Sequence, residues 1–511
     1  MANGMGSLMV GATGLRSSQT ALNTTAHNLS NVNTEGYTRQ QITFADSTYA
    51  NVFSKSLNKG KYGLGVDIDA ISRIRNEFID RSYRTESSRL GFYESQANAV
   101  YEVEDWFGEM QGVTYQQHIT NLYNAVNELT KNPTSTIARS SLIQNATAFI
   151  DRSEAIYSGL KDYQVTLNTE VNNMVEKINS LGQKIYNLNK GIVKVEAEGV
   201  ERANDLRDSR DLALDELSKY IDIDYYETKD GEVIVSAENV PFITKNDIAK
   251  MSVREEGTYG LLIPQWEGYQ QDVYNFDKQA NNANDTDKGK LKGLLIARGV
   301  IEVNYTDIPV MPERADYDLT TEQGMAEYNS AMDAYQQKQD YYNKYIEPSA
   351  ILSAIAGFDK LVNGIVTAMN DVLCPETTMD TTKELTDADG NILKAEKYVY
   401  NASTHDVLYD SHGNVVAGKE NGDGTYSYEA SEKLYVDANH EETENIDSMT
   451  YKILDMSKAG YGMDDDETRG VELFKRNGTD RYKQITGADG STIYVRNNLN
   501  VTGFETDYTL G

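Results

Sequence analysis

The sequence holds few residues of several kinds, and each scarcity narrows what the protein can be. It has one cysteine, two tryptophans and seven prolines among 511 residues. The single cysteine, Cys374, excludes intrachain disulfides and metal sites built from two or four thiolates. Because Cys374 follows an apolar helical pattern, we expect its thiol to pack inside the protein rather than to react.

We also expect no long hydrophobic runs in this sequence. The N-terminus, MANGMGSLMVGATGLRSSQ, has no basic segment and no apolar run of signal-peptide length. We expect no apolar span of 18 residues elsewhere, and therefore no membrane insertion. Either the protein stays inside the cell, or a route without a cleaved signal peptide exports it.

Positive charge is in short supply. The chain carries 48 Lys and Arg against 79 Asp and Glu, a formal net charge of −31, which repels nucleic-acid phosphates. We therefore predict no nucleic-acid partner. The first 100 residues are balanced, with ten basic and eight acidic groups, whereas residues 376–450 hold five basic and 17 acidic groups. The latter balance is typical of a well-solvated outer domain.

Apolar residues are present at helical spacing near the N-terminus. Their alternating spacing of four and three predicts one helix stripe, interrupted once by a polar residue. From the spacing alone, an ordinary amphipathic core helix is favoured over a helix that meets a partner. The stripe consists of Leu8, Ala12, Leu15, Gln19, Leu22, Ala26 and Leu29.

Two further stripes keep the same spacing without a polar interruption. At about 1.5 Å per residue the first would span roughly 43 Å, which favours a coiled-coil-like rod over a compact core. Long antiparallel helices can bury both stripes against each other. The stripes are Leu167, Val171, Met174, Ile178, Leu181, Ile185, Leu188, Ile192 and Val195, and then Ile351, Ile355, Phe358, Val362, Ile365, Met369 and Val372.

Short alternating runs around turn pairs predict β-hairpins between and after these helices. They fall in two regions, roughly 221–265 and 375–500, and include KDGEVIV, ADGNIL, HGNVV, GDGTYSYE and ADGSTIYV. The fold class is therefore α+β and multidomain: long coiled-coil-like antiparallel helices in a discontinuous, elongated rod domain, with β-rich outer domains.

Candidate chemical motifs are incomplete. HEETE, beginning at His440, has Glu444 where a zinc peptidase carries its second histidine. The segment from Asp387 to Glu396 resembles a calcium-binding loop, but its first ligand position is Leu385, so a hairpin turn explains it equally well. The acidic run 464–467 is typical of a solvated surface. We predict no metal, no cofactor and no enzymatic activity.

Several segments resemble one known family. GLRSSQTALNTTAHNLSNVNTEGYTRQ (14–40) resembles the N-terminal signature of bacterial flagellar axial proteins, and its GYTRQ ending is similar to the form typical of the hook-associated protein 1 family. Further similar segments follow in the family's order: GVDIDAISRIRNEFIDRSYRTESSRLGFYE (65–94), NPTSTIARSSLIQNA (132–146), NDLRDSRDLALDELSKYIDI (204–223), GKLKGLLIARG (289–299) and RGVELFKR (469–476).

The resemblance implies a domain organisation. Residues 1–60 would form the N-terminal helix and extended segment of an axial core, and 61–220 with 285–374 the long-helix rod domain. Residues 221–284 would be a small β region, and 375–511 a β-rich outer domain. Members of the family end in a long amphipathic helix, whereas VTGFETDYTLG reads as strand and loop. We therefore expect a sequence truncated before its C-terminal helices.

The resemblance also implies a function. Such a protein is a structural subunit that forms a ring joining hook to filament, outside the cell, exported unfolded through the flagellar type III apparatus without a cleaved signal. Its expected partners are copies of itself, the hook protein, the second junction protein and an export chaperone. The alternatives are a rod or hook subunit, or an axial protein whose outer domain is a metallopeptidase-like enzyme or an adhesin.

The stretch NLSNVNTEGYTRQ (28–40) supplies the candidate contact residues. Asn and Gly tolerate left-handed backbone angles, so the residues predict a turn that ends the helix and leads into a strand. The resemblance places this turn among neighbouring subunits. The predicted subunit interface comprises Leu8, Ala12, Leu15, Leu22 and Leu29 of the stripe, with Asn28, Asn31, Gly36, Tyr37 and Arg39 of the turn.

Overall fold

A computed structural model describes most of the chain. The described residues are 2–52, 60–108, 114–197, 202–257, 260–276, 280–317, 319, 322–388, 390, 392–393, 395–401, 407–410, 413–420, 425–429, 434–436, 446–461, 469–470, 472–476, 480–487, 490–497 and 510.

Long helices and small antiparallel sheets make up the described structure, which confirms the α+β multidomain prediction. Both long predicted stripes lie on helices. The helices are α1 (Ala2–Ser30), α2 (Glu77–Phe107), α3 (Tyr115–Lys131), α4 (Thr136–Glu196), α5 (Asn204–Tyr220), α6 (Lys290–Arg298), α7 (Glu322–Tyr341) and α8 (Ala350–Leu373).

The strands form separate small sheets and one larger one. β1 (Gln40–Asp46) pairs with β4 (Val66–Arg73), and β2 (Tyr49–Val52) with β3 (Gly60–Gly63). Two three-stranded sheets follow: β5 (Ile223–Glu227), β6 (Val233–Ala237) and β7 (Val240–Ile243), then β8 (Met251–Glu256), β9 (Leu261–Trp266) and β10 (Gln271–Asp272).

The remaining strands are β11 (Glu376–Thr381), β12 (Lys397–Asn401), β13 (Val407–Tyr409), β14 (Val415–Ala417), β15 (Lys419–Glu420), β16 (Thr425–Glu429), β17 (Ile446–Leu454), β18 (Tyr482–Thr486) and β19 (Thr492–Arg496). Seven of them form a sheet in the order β15-β16-β12-β17-β19-β18, with β11 also pairing with β17. Strands β13 and β14 form their own hairpin.

The predicted hairpin turns occur at glycines with a left-handed backbone. Gly231, Gly413 and Gly490 have φ values of 85°, 78° and 81°, and each follows one strand of an antiparallel pair. A side chain at such a φ is strained, so glycine is the residue that suits these turns. The Asp and Gly turn pairs of the sequence therefore predicted these hairpins for a physical reason.

The chain divides into two compact units. One, unit 1, comprises residues 1–105, 160–303 and 309–354, and the other, unit 2, comprises 106–159, 304–308 and 355–511. The domain boundaries expected from the sequence, at residues 60, 220, 284 and 374, stay predictions.

In unit 1 the longest stripe is buried, and asparagines of α4 hold small sheets beside it. Seven of its nine apolar residues are buried; Leu188 is half-buried and Val195 is exposed. The Asn179 side chain donates to the Met251 carbonyl at 2.8 Å and accepts the Met251 N–H at 2.9 Å. These paired hydrogen bonds satisfy a backbone N–H and a backbone carbonyl of the strand, which would have no partner against an apolar helix face. The spacing of the stripe predicted that antiparallel helices cover it, whereas these hydrogen bonds show that strands also pack along the helix.

Asn189 makes the same pair of hydrogen bonds to a strand further along α4. Its side chain donates to the Val233 carbonyl at 2.8 Å and accepts the Val233 N–H at 3.1 Å. Its carbonyl oxygen also accepts a hydrogen bond from Arg210 at 3.2 Å. Since Asn189 and Val233 are both buried, each bond replaces one that water would otherwise make.

The third asparagine, Asn168, joins the next sheet and a buried arginine. It donates to the Gly260 carbonyl at 2.9 Å and accepts the Leu262 N–H at 2.7 Å. The same amide oxygen accepts from Arg298 at 2.5 Å. Burial lowers the pKa of the Arg298 guanidinium to about 10, because desolvation disfavours its charge.

In unit 2, buried side chains of the large sheet and of neighbouring segments form a hydrophobic core. The core includes Leu393, Leu408, Tyr428, Tyr451 and Val495. The RGVELFKR segment meets the end of α8 in this unit, where the Asn370 side chain accepts two N–H groups and donates to the Phe474 carbonyl at 2.9 Å.

The lone thiol of Cys374 is buried in unit 2, as predicted. It lies 2.9 Å from the Asn370 carbonyl oxygen. Burial raises the pKa of the thiol to about 11, so the nucleophilic thiolate is scarce at neutral pH.

Helix α8 corrects the expectation that no 18-residue segment is apolar. An 18-residue window of α8 has a mean hydropathy of 1.4, which is long and apolar enough to cross a membrane by length and composition, and 44% of that window is buried within the protein. Partly buried core helices of soluble proteins have the same composition. We therefore read α8 as a core helix.

Candidate interface on the first helix

The apolar stripe of α1 faces solvent. Leu8, Leu15, Leu22 and Leu29 are 74%, 76%, 65% and 74% exposed, and Ala12 is exposed with them. Residues seven apart lie on nearly the same side of a helix, so the leucines form one exposed ridge. Apolar ridges of this kind mark surfaces that bind another protein.

The opposite face of α1 is covered by the hairpin of β1 and β4. The Ser17 hydroxyl is buried and donates to the Val66 carbonyl at 3.4 Å. Beside it, Gly65 has φ of 114°, and an added Cβ would lie 2.0 Å from the Thr13 hydroxyl oxygen. Glycine is required here because the hairpin backbone approaches the helix closely. The small polar side chains of α1 thus lie on the face that packs against the hairpin, and its leucines lie on the opposite face.

Asn28 closes the turn that ends α1. Its amide donates to the Gln40 carbonyl at 2.9 Å, and its oxygen accepts both the Gln40 N–H at 2.9 Å and the Tyr37 hydroxyl at 2.7 Å. The Tyr37 ring packs edge-on against His27, with centroids 5.5 Å apart. Asn28 and Tyr37, predicted as contacts between subunits, therefore make contacts within the chain that shape the turn.

Gly36 and Thr38 attach this turn to α5. Gly36 has φ of 79°, and a Cβ there would lie 3.1 Å from the Leu212 side chain. The Thr38 N–H donates to an Asp208 carboxylate oxygen at 3.1 Å. A left-handed residue in contact with a leucine explains why glycine occupies this position.

Asn31 and Arg39 lie at the edges of the same turn. The Asn31 amide donates to the His27 carbonyl at 3.0 Å, and its oxygen accepts the Thr34 hydroxyl at 3.1 Å. The Arg39 carbonyl accepts the Ile74 N–H at 3.0 Å, while its side chain is exposed. Of the turn residues predicted for the interface, Arg39 presents the charged group that faces solvent.

An ion-pair network links α5, to which the turn is attached, to arginines of the segment 65–94. Arg73 contacts Asp208 and Asp211 at 2.7 Å each, and Arg84 contacts Asp215 at 2.7 Å. Arg75 contributes as well, 3.3 Å from Asp211 and 3.5 Å from Asp215. These residues are mostly buried, so the bonds are screened less than surface pairs.

The network shifts the ionisation of its central acid. Burial alone would raise the pKa of the Asp211 carboxyl, but Arg75, Arg73 and Arg84 outweigh burial and lower that pKa below its ordinary value. The network joins the segments 65–94 and 204–223, two of the segments through which the sequence resembles a family. Sequence reasoning did not predict these ion pairs; the available signal was the spacing of Asp208, Asp211 and Asp215 by three and four residues, which places the three carboxylates on one face of α5.

A groove of about 970 Å³ runs beside α1. Thr20, Asn23 and His27 line it from the helix, and Ile71 and Asn204 line it from β4 and α5. The mixture of small polar and apolar side chains is suited to another helix or an extended segment.

No group of three or more His, Cys, Asp or Glu suited to hold a metal occurs among the residues that the structure describes. The HEETE motif, the acidic run 464–467 and Asp389 of the calcium-loop pattern lie outside those residues.

Two family models match the chain. Residues 100–331 match the flagellar hook-associated protein FlgK helical domain, and residues 8–38 match the flagella basal body rod protein. The second match covers the exposed stripe of α1 and most of its closing turn.

Curated relatives agree with these matches. Flagellar hook-associated protein 1 of Bacillus subtilis is 30% identical over 310 residues, covering 58% of this chain and 61% of that protein. The Salmonella typhimurium protein of the same name is 26% identical over 213 residues, covering 41% of this chain and 37% of that protein. The chain thus spans about three fifths of the first relative's length and less of the second.

A solved structure, the flagellar hook junction protein FlgK from Burkholderia pseudomallei, aligns over 73% of this chain and 62% of that one, with 13% identity and a TM-score of 0.39. The helical-domain model and the sequence relatives share one name, flagellar hook-associated protein, whereas the model matched by residues 8–38 is that of a rod protein. On these matches, the chain is similar to flagellar hook-associated protein 1 over about three fifths of the length of its Bacillus subtilis relative.

Proposed function

We propose that the chain is a non-enzymatic structural subunit of the bacterial flagellum that joins hook to filament and is needed for filament assembly. The observation that carries this proposal is the leucine ridge of α1, exposed on a helix whose other face the β1 and β4 hairpin covers. The relatives' name, flagellar hook-associated protein 1, supports the same position.

The mechanism is geometric. Copies of the chain form a ring in which Leu8, Ala12, Leu15, Leu22 and Leu29 of one subunit lie against helices of its neighbours, which removes apolar surface from water. The turn residues act differently. Asn28, Gly36 and Tyr37 set the shape of the turn, and Asn31 and Arg39 lie at its edge, where a neighbouring subunit contacts them.

The proposed partners follow from this position. The ring contacts the hook protein on one side and the second junction protein on the other. The chain reaches its extracellular site through the flagellar type III apparatus, with an export chaperone and without a cleaved signal peptide. One cysteine, and therefore no intrachain disulfide, is compatible with passage as an unfolded chain. The acidic outer region, residues 375–511, keeps the assembled surface solvated.

Immunogold electron microscopy of intact flagella tests the position directly. Antibodies raised against the whole chain should label one band where hook meets filament. Label along the hook or in the rod would contradict the proposal and favour the rod or hook subunit, which the rod-protein match over residues 8–38 supports as the second candidate.

An enzymatic outer domain is a different class of function and needs its own test. Zinc analysis of the purified chain and a casein-cleavage assay distinguish it from a structural subunit. Stoichiometric zinc together with cleavage, both lost in His440→Ala, would show a metallopeptidase; the proposal predicts neither zinc nor cleavage. Adhesion is tested separately by binding of the chain to mucin.

A further inference from the structure

A second surface in unit 1 has the composition of a ligand site. A groove of about 870 Å³ lies between the sheet β8–β10 and the segment that follows α7. We call it the tyrosine groove and define it by Tyr274, Phe276, Tyr341 and Tyr345, with the polar residues Arg254 and Gln271 at its edge. Its volume is within the range of small-molecule sites, about 300–1,000 Å³.

Two pairs of aromatic rings line the groove. The Tyr274 and Phe276 rings have centroids 6.1 Å apart, and the Tyr341 and Tyr345 rings 5.0 Å apart. Tyr345 belongs to a π-helical turn, Tyr342–Ile346, closed by a hydrogen bond from the Glu347 N–H to the Tyr342 carbonyl at 2.9 Å. Such turns are rare and occur often at functional sites. Tyr341 is 41% exposed, so its ring is open to a ligand.

The charges of the groove are balanced within the protein. The Arg254 guanidinium binds both carboxylate oxygens of Asp272 at 2.9 Å and also contacts Glu256. The Lys344 ammonium group, on an adjoining wall, lies 4.8 Å from the centroid of the Tyr345 ring. The charges of the two cationic side chains therefore balance those of the two carboxylates, so a neutral ligand can bind here.

Neutral polar groups complete the wall. Gln270 and Gln271 both line the groove. Gln270 has φ of 49°, a left-handed backbone that side chains other than glycine adopt rarely and that occurs often at binding sites. The Tyr274 hydroxyl is buried and has no hydrogen-bond partner among the described residues. The glutamine amides and the carboxylates of Asp272 and Glu256 offer both donors and acceptors to a ligand in the groove.

We propose that the tyrosine groove binds a neutral oligosaccharide. A sugar ring has an apolar C–H face and a rim of hydroxyls, so it buries carbon against aromatic rings while glutamine amides and carboxylates satisfy its hydroxyls. An apolar peptide segment would cover the Gln270 and Gln271 amides without offering them hydrogen bonds, which is costly in a buried contact. The proposal is independent of the role at the hook–filament junction.

Saturation-transfer NMR on the full-length chain tests this proposal with maltotriose, cellotriose and chitotriose as probes. At least one of these sugars should bind with a Kd on the order of 1 mM, as expected for a small ligand in an open groove. Tyr341→Ala should weaken that binding about tenfold, because one exposed ring is lost. Gln271→Ala should weaken it about fivefold through a lost hydrogen bond.

Tyr226→Ala is the matched control, because Tyr226 is an exposed tyrosine on β5 that does not line the groove. Its affinity should equal that of the unchanged chain, and the melting temperatures of all three variants should agree within a few degrees. The proposal is overturned if no sugar binds below about 20 mM, or if Tyr341→Ala and Tyr226→Ala bind alike. Binding of a tyrosine-rich peptide, with no binding of the sugars, would overturn it equally.

Discussion

At the scale of single residues, side-chain amides set the local geometry around α1. Asn28 makes three hydrogen bonds that close the turn, and two of them belong to the backbone of Gln40. The sequence predicted the turn because Asn and Gly cluster there. It did not predict the pairing with Gln40, because a contact across twelve residues depends on where the strand returns.

We predict that Asn28→Ala loosens this turn. The Gln40 N–H and carbonyl and the Tyr37 hydroxyl lose their partner, at a cost of about 1–3 kcal/mol. Hydrogen exchange at the Gln40 amide should therefore accelerate roughly five- to 150-fold. Asn33→Ala, at an exposed residue of the same turn, is the control and should leave exchange unchanged. Equal exchange rates in the two variants would contradict the role assigned to Asn28.

Two glutamates of unit 1 give opposite dependences of stability on pH. Burial raises the pKa of Glu238 from 4.5 to about 7, against a nearby Lys292. Its folded pKa is above its unfolded value, so its contribution to stability is greatest below pH 4.5 and falls as the pH rises through 7. Glu238→Gln should therefore increase the free energy of unfolding at pH 8 by about 1–3 kcal/mol, with no gain at pH 4.

Glu196 supplies the contrast for that measurement. The hydrogen bond from Arg207 lowers the pKa of Glu196 from 4.5 to about 2, so its stabilisation is present above pH 4.5 and lost as the pH falls through 2. In urea denaturation, Glu196→Gln should destabilise the chain at pH 8 and approach the parent near pH 2. The same sign for both variants at pH 8 would contradict these assignments.

At the scale of secondary-structure elements, α4 is the support on which unit 1 is built. Its apolar period predicted a long helix, and the helix exists over 61 residues. The apolar period did not predict where strands pack against this helix. In the sequence, Asn168, Asn179 and Asn189 look like ordinary polar positions of a helix. Each lies about three turns from the next, and each holds the backbone of a strand.

We predict that Asn189→Ala destabilises the chain far more than a neighbouring substitution. It leaves the Val233 N–H and carbonyl and one bond of Arg210 unpaired in a buried site, at a cost of about 2–4 kcal/mol. Asn187→Ala, at an exposed position of the same helix, should change the free energy of unfolding by less than about 0.5 kcal/mol. Urea denaturation measures both, and similar values would show that the Asn189 bonds contribute little.

At the scale of the whole molecule, the distribution of surfaces follows the proposed position in a filament. The N-terminal helix carries exposed leucines on a stretch of nearly balanced charge, whereas the residues after position 100 hold 38 basic and 71 acidic groups and so all of the negative net charge. Sequence patterns predicted the leucine stripe and the acidic outer region. Spacing alone could not tell whether the stripe faces a core or solvent, because both produce the same period. Only the position of the β1 and β4 hairpin decides it.

We predict that charge on the leucine ridge abolishes assembly without unfolding the subunit. The double variant Leu15→Asp, Leu22→Asp would place two carboxylates in an apolar contact between subunits, where unpaired charge is costly. Expressed in a strain that lacks the native gene, it should fail to restore filaments. Tyr226→Asp, at an exposed position away from α1, should restore them. Restoration by both variants would show that the ridge is not an interface.

Electron microscopy of a strain from which the gene for this chain has been deleted is the most direct test of the proposed role in joining hook to filament. We predict cells that bear hooks without filaments, with flagellin released into the medium. Filaments of normal length on the hooks of that strain would contradict it.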